Sequence, residues 1–281
     1  MNDTDAVSEK VGDWWRTEIV DMAPGRIRFH GYAIEQLIGN VGFADMVWLM
    51  LRGELPTPGQ ARLLETALMA GVDHGPHAPS IAIARMAATC GVGLNNAMAS
   101  AMNVLGDVHG GAGEQAMEMY LACQARLGEG VGAAEAVSAE LDGFFAAGGK
   151  YVPGFGHRFH SVDPRSVRLL SILDEARADG VVGGDICEIS RQILSQISAR
   201  KGRDIAMNID GATAVVYAEL GFPAPLARGF FCLSRSVGIL AHAWEQTGQG
   251  GRNKGPIPRD MMWTYDGVAD RDLPSHEEDM T

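Results

Sequence analysis

Four glycine-marked segments carry side chains of the types that move protons and hold anions. In Val152-Pro-Gly-Phe-Gly-His-Arg-Phe-His-Ser-Val-Asp-Pro-Arg165, His157 follows two loop glycines and Arg165 stands eight residues on. Pro153, Gly154 and Gly156 break any helix there, which leaves the imidazole on a bent, exposed backbone. Such a ring can reach a substrate carbonyl while a guanidinium clamps a carboxylate beside it. Val72-Asp-His-Gly-Pro76 places His74 after a helix end, and Gly106-Asp-Val-His-Gly-Gly-Ala-Gly113 places His109 ahead of a helix beginning near Glu114. Asn208-Ile-Asp-Gly211 sets Asp210 at the head of an apolar helix, either as its N-cap or as a catalytic carboxylate.

Arginines join these groups. Arg158 and Arg165 flank His157, and Arg259 lies near the C-terminus. Arg235 sits among Phe230, Phe231, Leu233, Val237, Ile239 and Leu240, a helix apolar nearly all round and therefore expected to be buried. An unpaired guanidinium there would cost on the order of several kcal/mol, so a protein or substrate carboxylate must face it. Each residue has a bland reading when taken singly. A histidine beside glycine is more often a turn or cap residue, Asp210 an N-cap, and Arg235 half of an internal ion pair. His30, His77, His160 and His242 have no comparable context and read as structural. The eight histidines are too dispersed for a zinc motif by spacing alone, although folding can reunite them.

The elements that position these groups read as helices almost throughout. Thr57, Pro58 and Gln60 form a capping box with proline at the first helical position, and Leu63, Leu64, Ala67 and Leu68 follow at helical spacing. Phe43–Arg52 ends at Gly53. Ser80–Leu105, Glu114–Ala125, Ala133–Ala146, Arg165–Ala178, Cys187–Ala199 and Ala224–Gln246 complete the expected set, some interrupted by glycine. Arg26–His30 is the best candidate for a strand, and it reads as isolated.

Composition removes several classes. The 281 residues are 46% apolar and 21% charged, an ordinary globular balance, and the net charge of −12 argues against nucleic acid as a partner. No apolar run reaches the roughly 18 residues of a membrane span. The first residues lack the apolar core of a signal peptide. Cys90, Cys123, Cys187 and Cys232 are widely spaced, which fits a reducing cytoplasm better than a disulfide framework. Gly248-Gln-Gly-Gly-Arg-Asn-Lys254 lacks the Ser or Thr of a phosphate loop, and no G-x-S-x-G elbow occurs.

The order and spacing of the segments resemble the citrate synthase superfamily, most closely its short branch of citryl-CoA lyases and the citryl-CoA-cleaving domain of ATP-citrate lyase. The resemblance runs from about Trp15 to Tyr265. It is carried by Ile27-Arg-Phe-His-Gly-Tyr-Ala-Ile-Glu-Gln-Leu37, Leu51-Arg-Gly-Glu-Leu-Pro56, Asp73-His-Gly-Pro76, His109-Gly-Gly-Ala112, Pro153-Gly-Phe-Gly-His157, Asp163-Pro-Arg165, Asn208-Ile-Asp210 and Leu233-Ser-Arg-Ser-Val-Gly238. It implies an all-α, two-domain homodimer, with residues 11–109 and 223–269 forming a large domain and 110–222 a small mobile one. Residues 270–281 are expected to fray. The implied partners are a CoA thioester and a di- or tricarboxylate, with no metal and no permanently bound cofactor, and with neither nucleic acid nor membrane.

The resemblance also implies roles. His109 stabilises the thioester enol, Asp210 moves the proton at the acetyl carbon, and His157 polarises the oxo acid carbonyl. His74, Arg158, Arg165 and Arg235 hold carboxylates, and Arg259 crosses a dimer interface. Val152, Gly154, Phe155 and Gly156 correspond to an adenine-binding loop, and Lys201 and Arg203 to CoA phosphate contacts. Two departures point toward the lyases rather than the synthases. Roughly a hundred N-terminal residues of many full-length synthases have no counterpart, and the His74 motif reads Asp-His-Gly-Pro rather than Asp-His-Glu. The expected activity is cleavage of citryl-CoA to acetyl-CoA and oxaloacetate. The alternatives are a citrate or alkylcitrate synthase that also hydrolyses the thioester, and a non-catalytic CoA- or citrate-binding subunit.

Overall fold

The computed structural model describes residues 14–157 and 160–273. Arg158 and most of the expected C-terminal fray lie outside the described residues. The described chain begins with a small antiparallel sheet, β1 (Val20–Ala23), β2 (Arg26–Phe29) and β3 (Tyr32–Ala33), paired in that order. The expected strand therefore exists but is not isolated, and the fold is mostly rather than wholly helical. Its partners are only four and two residues long, too short to display an alternating pattern. His30 and Gly31 both take positive φ, 45° and 87°, which closes the tight β2–β3 turn.

Eleven helices follow among the described residues. They are α1 (Ile34–Leu37), α2 (Phe43–Arg52), α3 (Pro58–Ala70), α4 (Pro79–Thr89), α5 (Leu94–Met102), α6 (Ala112–Gly128), α7 (Ala133–Ala146), α8 (Pro164–Ala178), α9 (Asp185–Lys201), α10 (Ile209–Glu219) and α11 (Ala224–Gln249). The capping box of α3 forms as the sequence requires, with Thr57 N–H donating to Gln60 Oε1 at 2.9 Å. The long segment expected over 80–105 is two helices, because α4 closes at Cys90 and Gly91 takes a left-handed φ of 85°.

Helix α10 occupies the centre. Ala212, Ala214, Val215 and Val216 are fully buried, and the helix packs against α3, α6, α8 and α9. The principal core joins Leu63, Leu64 and Phe230 to Met117, Tyr120 and Val215, so it runs across the expected domain boundaries. A second cluster, built on Ile81, Ala84, Ala97, Ala101, Ile239 and Ala243, binds α4 and α5 to α11. The heads of α4, α6, α8 and α10 are thereby brought around the middle of α11.

One close approach sets the geometry of the site. Gly154 takes φ 83°, and its carbonyl accepts the Asn208 N–H at 3.0 Å. A Cβ on Gly211 would lie 2.3 Å from the Gly154 oxygen, and one on Gly154 would lie 2.7 Å from Gly211 Cα. The loop carrying His157 and the head of α10 carrying Asp210 touch backbone to backbone. Gly211→Ala is expected to lower stability by about 1–3 kcal/mol through overpacking. Denaturant unfolding reads this directly, and an unchanged midpoint would show that the loop yields without cost.

Candidate active site

A cavity of about 440 Å³ opens where these helix heads meet α11. His74, His109, His157, Arg165, Asp210 and Arg235, drawn from five separate stretches of chain, all line it. These are six of the eight residues assigned catalytic or carboxylate-binding roles from the sequence. The segments before residue 110 and after 222 supply His74, His109 and Arg235, and the segment between them supplies the other three.

His109 is oriented by the start of α4. Its Nε2 accepts the Ser80 N–H at 3.2 Å and lies 3.0 Å from Ser80 Oγ. Ser80 is the second residue of α4, so its N–H has no acceptor inside the helix. Because Nε2 is the acceptor, the proton of the neutral ring resides on Nδ1, which leaves Nδ1–H as a donor for a ligand. Burial lowers the pKa of this ring, and the Arg235 charge lowers it further. A neutral donor held at a helix N-terminus suits an oxygen that gains negative charge.

Asp210 does not cap its helix. Asn208 does, accepting the Gly211 N–H at 3.1 Å while its amide donates to the Gly156 carbonyl at 2.9 Å. That division of labour leaves the Asp210 carboxylate to the cavity. Burial raises its pKa, and the charges of Arg235 and Arg165 offset part of the rise. A carboxyl whose proton is held more tightly than usual is closer to the working range of an acid–base catalyst.

Arg235 is 4% exposed, and its Nε donates to the Gly71 carbonyl at 3.1 Å. The guanidinium lies 4.7 Å from the Phe231 ring centroid. Burial works against its charge, and the Asp210 and Asp73 carboxylates support it. Both alternatives for its partner thus have a physical basis, since it faces protein carboxylates and also lines the cavity.

Asp163 anchors the opposite wall. It is fully buried and grips Arg165 in two-pronged fashion, with Nε to Oδ1 at 3.0 Å and Nη2 to Oδ2 at 2.8 Å. It also caps α8 through the Arg165 N–H and accepts the Ile209 N–H at 3.2 Å, which ties the heads of α8 and α10 together. Arg165 Nη1, by contrast, is buried and has no protein acceptor. Arg165 lines the cavity, so a carboxylate entering there would face its guanidinium. Burial alone would raise the Asp163 pKa, but the hydrogen bonds and charge of Arg165 outweigh it and hold the carboxyl below its ordinary value. His157 Nε2 lies 4.0 Å from Asp163 Oδ2, and its Nδ1 accepts the His160 N–H at 3.0 Å. Burial depresses the His157 pKa despite Asp163, as burial and the two arginines depress that of His74.

Other expected residues stand elsewhere. Val152 and Phe155 are core side chains, 6% and 8% exposed, so only their backbone is offered to a ligand. Gly156 lines the cavity, whereas Lys201 lies 5.5 Å from the Phe145 ring at the end of α9 and Arg203 is exposed beyond it. Arg259 donates to the Arg252 carbonyl at 3.2 Å along a separate groove formed by residues 246–259. His77 and His160, which read as structural from the sequence, stand at the site. His77 lines the cavity, and the His160 ring lies 4.5 Å from that of His157 and 6.1 Å from that of His74. The only sequence signal for His160 was its nearness to His157.

Residues 56–259 match the family described as citrate synthase, C-terminal domain, and the chain belongs to the citrate synthase family. Among solved structures it is similar to the citryl-CoA lyase of Hydrogenobacter thermophilus, at TM-score 0.80 and 31% identity over 92% of this chain and 97% of that one. It shares its fold with an ATP citrate lyase of Methanothrix soehngenii, at TM-score 0.76 and 21% identity over 100% of this chain and 46% of that one. A citrate synthase of Acidithiobacillus ferridurans is 30% identical over 201 residues, covering 70% of this chain and 50% of the relative. The chain spans about half the length of the citrate synthases it matches.

Removing the Asp163 charge leaves the partly buried Arg165 without its fully buried counter-ion. Asp163→Asn is therefore expected to cost about 3 kcal/mol of stability, read by denaturant unfolding at neutral pH. Because the folded pKa of Asp163 is depressed, its contribution is complete above the ordinary carboxylate range and is lost as pH falls through the lower folded value. The gap between wild type and variant should close over that acidic window. A gap that stayed constant with pH would locate the effect in packing rather than charge.

Proposed function

We propose that this chain cleaves citryl-CoA to acetyl-CoA and oxaloacetate by reversible carbon–carbon chemistry on a CoA thioester. The observation that carries the reading is the single cavity in which the His109 Nδ1–H donor, the Asp210 carboxyl, His157, Arg165 and Arg235 converge. Likeness to the Hydrogenobacter enzyme at TM-score 0.80, against 0.66 and 0.60 for two solved citrate synthases, supports the lyase over the synthase reaction.

In the cleavage direction the tertiary hydroxyl of citryl-CoA gives its proton to His157. The carbon–carbon bond then breaks, the oxo carbonyl of oxaloacetate forms, and the bonding pair moves into the enolate of the thioester. His109 Nδ1–H stabilises the enolate oxygen, and Asp210 delivers a proton to the carbon that becomes the acetyl methyl group. Arg165 Nη1, Arg235 and His74 hold carboxylates. With His160 N–H on Nδ1, the resting His157 ring carries its proton on Nε2, the form that polarises an oxo carbonyl. Cleavage uses the other form, in which the ring proton sits on Nδ1 and the N–H of the exposed His160 turns to solvent. Segment 110–222 acts as a small mobile domain that closes the cavity over substrate and excludes water. The 152–156 backbone, with Lys201 and Arg203, serves CoA.

The working form is a homodimer. Leu233, Val237, Leu240 and Trp244 form one stripe along α11, exposed by 45%, 57%, 41% and 67% in the single chain. A helix apolar nearly all round is expected to be buried, and a second copy supplies the missing cover. Arg259, remote from its own cavity, then stands available to the partner's. Four free cysteines support a cytoplasmic location, and among the described residues no helix is long and apolar enough to cross a membrane.

Incubation with citryl-CoA should yield acetyl-CoA and oxaloacetate in equal amounts. Acetyl-CoA plus oxaloacetate should release little free thiol, and rapid stoichiometric thiol release would establish the synthase reaction instead. Asp210→Asn should lower kcat by about 10²–10⁴-fold while citryl-CoA still binds; full turnover in the variant would remove Asp210 from the chemistry. Val237→Glu should halve the molar mass measured by light scattering, and an intact dimer would place the interface elsewhere.

A further inference from the structure

The ring of His160 stands against two histidines that line the cavity, and the reaction has no use for it. It is exposed, it follows a described loop histidine by three residues, and its ring faces two others. His74, His157 and His160 each offer a ring nitrogen, and the three atoms lie within 4.8 Å of one another. A point central to three atoms so spaced is at most about 2.8 Å from each, against the roughly 2.0–2.1 Å of a zinc–imidazole bond. Small side-chain rotations close that gap. Three imidazoles on one side, with the open cavity on the other, match the donor set and the vacant fourth position of zinc-class sites.

We propose that His74, His157 and His160 bind a divalent cation of the zinc class at the carboxylate end of the cavity, and that this cation and the dicarboxylate exclude one another. The exclusion follows from shared atoms. His74 and His157 cannot spend the same ring nitrogens on a metal and on the oxo acid. Whichever nitrogen of His157 takes the cation, the His160 N–H loses its acceptor, because Nδ1 becomes either a ligand or a protonated atom. His160 is an exposed residue, so water replaces that acceptor. Asp163 Oδ2, 4.0 Å from His157 Nε2, supplies negative charge beside the site, while Arg165 and Arg235 oppose a bound dication. That opposition favours ready exchange over permanent residence. The cation acts as an inhibitor, and it belongs to no step of the reaction.

The exclusion rests on the functional reading above, but the metal site does not, and the experiment separates them. Zinc(II) alone is titrated into the full chain against a chromophoric chelator, with no substrate and no turnover measured. One equivalent per chain is expected to bind, and His160→Asn is expected to weaken the affinity tenfold or more while citryl-CoA cleavage persists. Cobalt(II) in the same site should show visible absorption without the near-ultraviolet charge transfer of a thiolate, which sets it apart from binding at Cys90 or Cys232. Absence of stoichiometric binding, a thiolate signature, or unchanged affinity in His160→Asn would each overturn the site. Oxaloacetate in excess should reduce zinc affinity at least tenfold. His160-dependent zinc binding that oxaloacetate leaves unchanged would overturn the exclusion. A chain that binds zinc in this way yet fails to cleave citryl-CoA would retain the site and lose only the proposed reaction.

Discussion

The Asp163 carboxylate, fully buried, accepts from the Arg165 side chain, the Arg165 N–H and the Ile209 N–H. Those four bonds fix three features at once. They start α8, they join it to the start of α10, and they hold Arg165 with Nη1 left over for a ligand. A buried carboxylate is costly unless its lone pairs are filled and its charge is balanced. Here both conditions are met only when the two helix heads are in register. The position of Asp210, one residue beyond Ile209, therefore depends on an ion pair in which it takes no part. The Gly154–Gly211 contact completes the constraint by pressing the His157 loop onto the same helix head.

Electrostatics follows from that arrangement. Burial depresses the pKa of His74, His109 and His157 and raises that of Asp210. The imidazoles are thus favoured as neutral donors and acceptors, and the carboxyl is favoured in its protonated form. Arg165 and Arg235 remain the fixed positive charges, each arising from a packed element rather than from a surface loop. The helix-start N–H of Ser80 then decides which nitrogen of His109 bears the proton, and the His160 N–H does the same for His157. Proton placement in this site is set by backbone groups, which side-chain identity alone does not disclose.

Belonging to the citrate synthase family is compatible with either proposed fate of the thioester, because both proposals use the same donor, acid and clamps. The difference lies in whether water is admitted after the carbon–carbon step. One core joins the segments on either side of residues 110–222 to the segment between them, and His77 lines the cavity while the exposed His160 packs its ring beside that of His157.

Much of the helical frame was legible in the chain. The capping box at Thr57–Gln60, the glycine stop after Arg52 and the apolar spacing of α3, α7 and α8 are local signals, and each reappears with little change. The identities of His74, His109, His157, Arg165, Asp210 and Arg235 were legible too, because glycine punctuation and ordered motifs survive in one dimension. Strand β2 was legible but the sheet was not, since its partner strands of four and two residues carry too little periodicity. Tertiary structure alone decided that Asn208 rather than Asp210 caps α10, that one face of α11 lies open, and that His160 joins His74 and His157. Those outcomes depend on which groups compete for one N–H, one surface or one small volume. That competition exists only after distant segments have met.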